Sequence, residues 1–119
     1  MSRLVPNNEN GQNLKDWAND MLYMILGQES PEGLARRATS REAHLARLRA
    51  LVDEGRLLTA GPLPAMDAED PGPAGFSGSL VVAEFESLQA ATAWAESDPY
   101  IQSGAWTGAD VRPYKAVLP

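Results

Sequence analysis

The order in which strand-like and helix-like patterns follow one another constrains the fold of this sequence more than any other feature. Apolar patterns of strand length lie at residues 22–26, from residue 57, at 78–85 and at 106–115, and helical apolar stripes lie at 40–54 and 88–97. This β-α-β-β-α-β order predicts an α+β, ferredoxin-like fold. Two right-handed crossovers would place both helices on one face of a four-stranded antiparallel sheet.

The first helix is predicted to begin after Thr39, because Thr39 and Glu42 have the spacing of a capping box. Pro31 and Gly33 act as breakers in this interpretation, so the chain before Thr39 is a predicted loop. Gly55 should end the helix, since glycine tolerates the left-handed conformation of a C-cap. The apolar stripe that recurs at helical spacing consists of Leu45, Leu48, Leu51 and Val52.

The later elements are bounded by recognisable capping and breaking residues. Gly61 and the two prolines that follow it are predicted to end the second strand. Ser87 should cap the second helix. Pro99 should end that helix at Asp98, because proline disfavours helical geometry in the residue before it.

Two connections and one strand proline complete the pattern. Residues 65–77 form a long loop rich in proline, glycine and acidic residues, with Phe76 as its predicted anchor, over a pocket mouth or at a subunit interface. Residues 101–105 are predicted to be a short connector. Pro113 marks the last strand as an edge strand or as the site of a bulge.

His44, the only histidine in the sequence, lies at the edge of the apolar stripe. On a helical wheel it is about 40° from Leu48 and about 20° from Leu51, so its polar ring needs a hydrogen-bond partner. Two interpretations remain open: a structural histidine bonded to a carbonyl or partly solvated, and a catalytic or ligand-binding one. Arg36 and Arg37, just before the predicted helix, are either solvated surface or an anion clamp near a pocket.

Length and composition exclude several classes of function. The 119 residues suffice for one domain, with residues 1–20 as a polar N-terminal extension and 21–119 as the domain. A net charge of −6 argues against nucleic acid and anionic membranes as partners. With no cysteine, one histidine and no phosphate-binding glycine motif, neither a metal nor a cofactor is expected; a carboxylate site for a hard cation stays open, although no calcium-loop pattern is present. The lack of a membrane-length apolar run or signal-peptide core predicts a cytoplasmic protein.

One face of the predicted sheet has no helix to cover it. The apolar strand residues on that face, together with Trp106 and Tyr114, would form a patch too large for a soluble monomer. We therefore expect a homodimer in which two sheets pack face to face, alone or within a higher oligomer.

Four motifs together resemble the YciI-like family of dimeric α+β barrels: AHLARL, EGRLLTAGP, GFSGS and the block that ends in DPY. The resemblance covers almost all of residues 21–117. It implies a ferredoxin-like dimer with a His–Asp site facing a pocket in each subunit, and the matching residues are His44 and Asp98. A relative in chloroaromatic degradation is a dehydrochlorinase, and muconolactone isomerases share the wider barrel fold.

The resemblance makes acid/base chemistry on a small polar metabolite, such as a cyclic or aromatic one, the expected function, of lyase, dehydrochlorinase or isomerase type. Asp98 would orient the imidazole and stabilise its protonated form, while His44 takes a proton from a carbon or hydroxyl of the substrate. The predicted substrate contacts, for a developing oxyanion or for the ring, are Ser79, Gly61, Tyr23 and Tyr100.

Each site residue also has a structural interpretation. Asp98 can simply cap backbone groups in its turn, Ser79 can begin a strand, and Tyr100 can anchor the turn by packing. The two helices run roughly parallel, so a His44–Asp98 pair requires the Asp98 turn to curl back toward His44. A Ser-His-Asp nucleophile is disfavoured, because GFSGS matches the G-x-S-x-G motif of a nucleophile elbow only in part.

The competing class is a module without turnover. In that case the pocket binds a small metabolite, or the dimer recruits another protein through the acidic loop and the N-terminal extension. Loss of turnover on replacing His44, with the fold kept, would separate the two classes.

Overall fold

The computed structural model describes residues 20–119, and the predicted N-terminal extension lies almost wholly outside them. The sheet has the order β2-β3-β1-β4 with every neighbouring pair antiparallel, which is the ferredoxin-like arrangement. The predicted fold class is therefore confirmed. The elements in chain order are β1 (Met21–Glu29), α1 (Gly33–Asp53), β2 (Leu57–Pro64), β3 (Phe76–Phe85), α2 (Leu88–Glu96), α3 (Pro99–Gln102) and β4 (Trp106–Tyr114).

The core lies between one face of the sheet and the helices α1 and α2. Alternation along β1 and β3 sends every second side chain to this face. Leu51 of α1 and the small residues Ala91 and Ala95 of α2 pack against them. The buried strand residues of this cluster are Tyr23, Ile25, Val81, Ala83 and Phe85.

The prediction for the start of the first helix was wrong. Helix α1 begins at Gly33, and the Thr39 hydroxyl donates to the Arg36 carbonyl oxygen at 2.8 Å instead of capping a helix. Glycine and proline are tolerated around the first turn, where backbone N–H groups lack intrahelical partners in any case. A Cβ at Gly33 would overlap the Glu29 carboxylate, so any other residue here would have to displace that side chain. Residues 33–39 are therefore helical.

Three smaller boundaries also differ from the prediction. Strand β2 continues through Gly61 to Pro64, since it lies at the edge of the sheet, where prolines are tolerated. Strand β3 begins at Phe76 rather than at residue 78. Part of the predicted connector is the short helix α3, with Pro99 in its first turn.

Other boundary predictions were confirmed. Gly55 has a φ of 71° directly after α1, which only glycine adopts without strain. The Ser87 hydroxyl accepts a hydrogen bond from the Ala90 N–H at the start of α2. Pro113 lies in β4, the other edge strand.

Within residues 20–119, no helix combines the length and apolar character needed to cross a membrane.

Candidate functional site

The centre of the candidate site is the imidazole of His44, which lies well inside helix α1 and is only 5% exposed. Its Nδ1 is 2.9 Å from Oδ1 and 3.0 Å from Oδ2 of Asp98. The predicted approach of the two residues is therefore seen in the structure. It is possible because the chain turns at Asp98 into the short helix α3, which packs against α1.

The carboxylate of Asp98 is fully buried and has three polar partners. It contacts the His44 ring, accepts from Arg47 Nη1 at 3.1 Å, and accepts from the backbone N–H of Tyr100 at 2.9 Å as the N-cap of α3. The capping role and the His44 contact, which are alternatives on sequence grounds, occur together. The cap fixes the direction of the carboxylate that faces the ring.

Two aromatic rings hold the imidazole in place. Tyr100 stacks on His44 with centroids 4.0 Å apart and planes at 14°, and Trp106 meets the imidazole edge-on at 5.5 Å. Trp106 fits there because Gly27 has no side chain, since a Cβ on Gly27 would overlap the indole. The ring thus has packing on its face and its edge, and a carboxylate on Nδ1.

A second buried ion pair lies beside the first. Arg37 of α1 donates to both carboxylate oxygens of Glu29 at 2.8 Å and also donates to the Ser79 hydroxyl at 2.8 Å. Its guanidinium carbon lies 4.8 Å from the Phe76 ring centroid and 5.1 Å from that of Tyr100. Arg37 is therefore neither solvated surface nor a free anion clamp, because its charge is already matched by Glu29.

Between α1 and strands β2 and β3 lies a cavity of about 150 Å³. The His44 ring forms part of its wall, and because Nδ1 faces Asp98, Nε2 is the nitrogen left for a ligand. The residues that line the cavity are Arg37, Arg41, His44, Leu45, Leu48, Ala60, Gly61, Pro62, Ser79, Leu80, Val81 and Tyr100.

The structure brings most of the predicted site residues together at this cavity. His44, Ser79, Gly61 and Tyr100 line it, and Asp98 lies behind His44. Tyr23 is the one that lies elsewhere, as a core residue that meets Phe85 edge-on with centroids 6.3 Å apart.

Sequence reasoning did not assign Arg41 or Arg47 to the site. Arg41 lines the cavity and Arg47 contacts Asp98. A signal existed, because Arg37, Arg41 and His44 have the i, i+4, i+7 spacing of one helical face. Arg41 and His44 were already inside the predicted helix, and its late start left out only Arg37.

Burial raises the pKa of the Tyr100 phenol above its ordinary value of 10.0, and the nearby Arg37 and Arg41 guanidinium groups partly oppose the rise. The phenol therefore keeps its proton at neutral pH and acts as a hydrogen-bond donor. In the part of the chain that the structure describes, no group of three or more His, Asp or Glu side chains is arranged to hold a metal ion.

Two known proteins are similar in sequence over most of this chain. The chain is 58% identical over 98 residues to Protein YciI of Escherichia coli O6:H1, covering 82% of this chain and 100% of that protein. It is 53% identical over 98 residues, with the same coverage, to an uncharacterized protein of Haemophilus influenzae.

A solved structure with a similar fold is that of TftG, a 5-chloro-2-hydroxyhydroquinone dehydrochlorinase from Burkholderia phenoliruptrix, in complex with 2,5-dihydroxybenzoquinone. The TM-score is 0.67 at 29% identity, over 80% of this chain and 94% of TftG. The model of the YCII-related domain matches residues 21–115, which include every element from β1 to β4. With that match and the high identity to YciI proteins, the chain belongs to the YCII-related family.

Proposed function

We propose that the cavity is an acid/base site in which His44 moves a proton on a small polar metabolite. The observation that carries this proposal is the position of the imidazole, with Nδ1 held by Asp98 and the rest of the ring in the cavity wall. A carboxylate acceptor at Nδ1 selects the neutral tautomer with its proton on Nδ1. The lone pair of Nε2 is then available to take a proton from a ligand.

The reaction class is a lyase-type elimination. His44 Nε2 accepts a proton from a hydroxyl or carbon of the substrate, the electron pair left behind forms a new π bond, and a leaving group departs with its bonding electrons. Ser79 and Tyr100 donate to the oxygen on which negative charge develops. The similarity to TftG, named as a dehydrochlorinase, supports this class and suggests chlorinated hydroquinones as first substrates to test.

The proposal is tested by chloride release from 5-chloro-2-hydroxyhydroquinone, comparing the parent with His44→Gln and with Glu42→Gln. Glutamine can still donate to Asp98 but has no basic nitrogen. We expect His44→Gln to lower kcat about 10²–10⁴-fold. Glu42→Gln, at an exposed position on the same helix, should leave kcat unchanged.

Retained turnover in His44→Gln would contradict the acid/base role. Binding of the compound without chloride release by the parent would favour the competing class, a pocket that binds a metabolite without turnover. Thermal unfolding of each variant shows whether a loss of activity reflects a loss of fold.

We also propose that the protein acts as a homodimer through the sheet face opposite the core. Alternation in β1 and β3 gives this face a second apolar set, in which Met24, Leu26 and Leu80 are half-buried and Leu22 and Val82 are already buried within the single chain. Sedimentation at micromolar concentration should give the mass of two chains or more, and a monomer there would contradict the proposal.

A further inference from the structure

The charges around the cavity do not balance. Asp98 is matched by Arg47, and Glu29 is matched by Arg37. Arg41 also lines the cavity, and among residues 20–119 it has no carboxylate partner. The cavity wall therefore includes one guanidinium without a counter-charge, at an exposed residue, although the whole chain carries a net charge of −6.

The polar groups beside Arg41 are donors. The Ser79 hydroxyl accepts from Arg37 Nη2, so its own proton is left for another acceptor, and none of the described residues takes it. The Tyr100 phenol is protonated at neutral pH, and the Arg41 guanidinium lies near enough to act on it. A ligand that meets these groups must supply acceptor atoms and negative charge.

The rest of the wall includes apolar side chains, and the space is small. Leu45, Leu48 and Val81 line it without polar atoms in their side chains. A cavity of about 150 Å³ has room for one molecule of about the size of benzene. Nucleotides and acyl-carrier cofactors are far larger than this space.

We propose that Arg41 is a specificity residue that selects a small organic monoanion with an apolar body, such as a single-ring acid. Its ionised oxygen lies between the Arg41 guanidinium and the Ser79 hydroxyl, and its ring edge lies against Leu45 and Leu48. This inference rests on the proposed function, because it names the substrate class of the same cavity. The binding it describes does not require turnover.

The test compares benzoate with benzamide, which have nearly the same shape but differ in charge. Both are titrated by NMR into the ¹⁵N-labelled parent, Arg41→Gln, Arg41→Lys and Arg49→Gln at one ionic strength. Arg49 is the matched control, because it is exposed on the same helix without an ion pair among the described residues. It lies about 140° from His44 around the helix, against about 60° for Arg41.

We expect the parent to bind benzoate at least about tenfold more tightly than benzamide, the scale of a charge-assisted hydrogen bond. Arg41→Gln should abolish this preference by weakening benzoate alone, and Arg41→Lys should restore part of it. Arg49→Gln should keep the parent's values. Equal binding of the two compounds by the parent, no benzoate binding at millimolar concentration, or equal losses in the two glutamine variants would overturn the inference.

One further variant separates this inference from the proposed function. If His44→Gln binds benzoate as the parent does, and the parent itself turns over no chlorohydroquinone, the anion site stands and the acid/base proposal falls. If turnover depends on His44 but Arg41→Gln keeps the preference for benzoate, the anion site falls and the acid/base proposal stands.

Discussion

Two buried carboxylates lie behind the cavity. They differ in whether the side chain paired with them can still exchange a proton with a ligand. Glu29 is paired with Arg37, whose guanidinium also donates to the Gly78 carbonyl and the Ser79 hydroxyl and lies against two aromatic rings. Arginine stays protonated in proteins, so this pair cannot exchange a proton with a ligand. It ties β1, α1 and β3 together.

Asp98 is paired with a group that can change its protonation. The Nδ1 of His44 contacts the carboxylate, and its second nitrogen has no hydrogen-bond partner among residues 20–119. The comparison shows that burial of an ion pair does not by itself indicate chemistry. A pair whose atoms are all occupied supports the fold, whereas a pair with one titratable nitrogen left over can act on a ligand.

The largest expected effect on stability comes from breaking the first pair. Arg37→Met should lower the free energy of unfolding by about 3–5 kcal/mol, because Glu29 would remain buried without a counter-charge. Urea unfolding measures it. The control is Arg36→Met, which removes the neighbouring Arg36–Glu32 pair, where the side chains are 51% and 70% exposed. That loss should be under about 1 kcal/mol.

A double variant sharpens this result. Glu29→Met combined with Arg37→Met should lose less stability than Arg37→Met alone, because no unpaired charge stays buried. Similar losses for Arg36→Met and Arg37→Met would show that the buried pair contributes no more than the exposed one.

A smaller effect on stability is expected at the second pair. Asparagine in Asp98→Asn can still cap α3, so the free energy of unfolding should fall by only about 1–3 kcal/mol. The clearer change should be in the imidazole. In the parent, ¹⁵N shifts of the neutral ring should show the proton on Nδ1, and Asp98→Asn should give a mixture of tautomers.

The first pair provides the control for that measurement. Glu29→Gln should leave the tautomer of the His44 ring as in the parent, since Glu29 contacts Arg37 rather than the imidazole. A neutral ring in the parent with its proton on Nε2 would contradict the acceptor role of Asp98. The signal needs no assignment, because the chain has one histidine.

The sequence was sufficient for the order of elements, which follows from local patterns, and for four of the residues that line the cavity, namely His44, Gly61, Ser79 and Tyr100. Period, caps and breakers predicted the sheet with its helices, and the family motifs pointed to His44 and Asp98. What failed depended on contacts between distant residues. The Gly33 backbone packs against the Glu29 side chain from β1, a contact that no local pattern predicts, and the late predicted start of α1 left Arg37 outside the helix. Nothing local to Gly27 indicates that Trp106 crosses it.

The smallest expected effect belongs to Tyr100, the residue that touches both pairs. Burial raises the pKa of its phenol above 10.0, so the folded protein holds this proton more tightly than the unfolded chain does. The stability it contributes is fully present below pH 10 and is lost as the pH rises through the raised pKa. Tyr100→Phe keeps the stacking on His44 but has no phenol to titrate.

We therefore expect the free energy of unfolding to fall more steeply between pH 9 and pH 11 in the parent than in Tyr100→Phe. Urea unfolding across that range measures both slopes. Tyr114→Phe, at an exposed position of β4, shows what the loss of a tyrosine at the surface does. Equal pH dependence of the free energy of unfolding in the parent and in Tyr100→Phe would mean that the phenol is solvated. The Tyr100 ring would then contact the His44–Asp98 and Arg37–Glu29 pairs through packing alone.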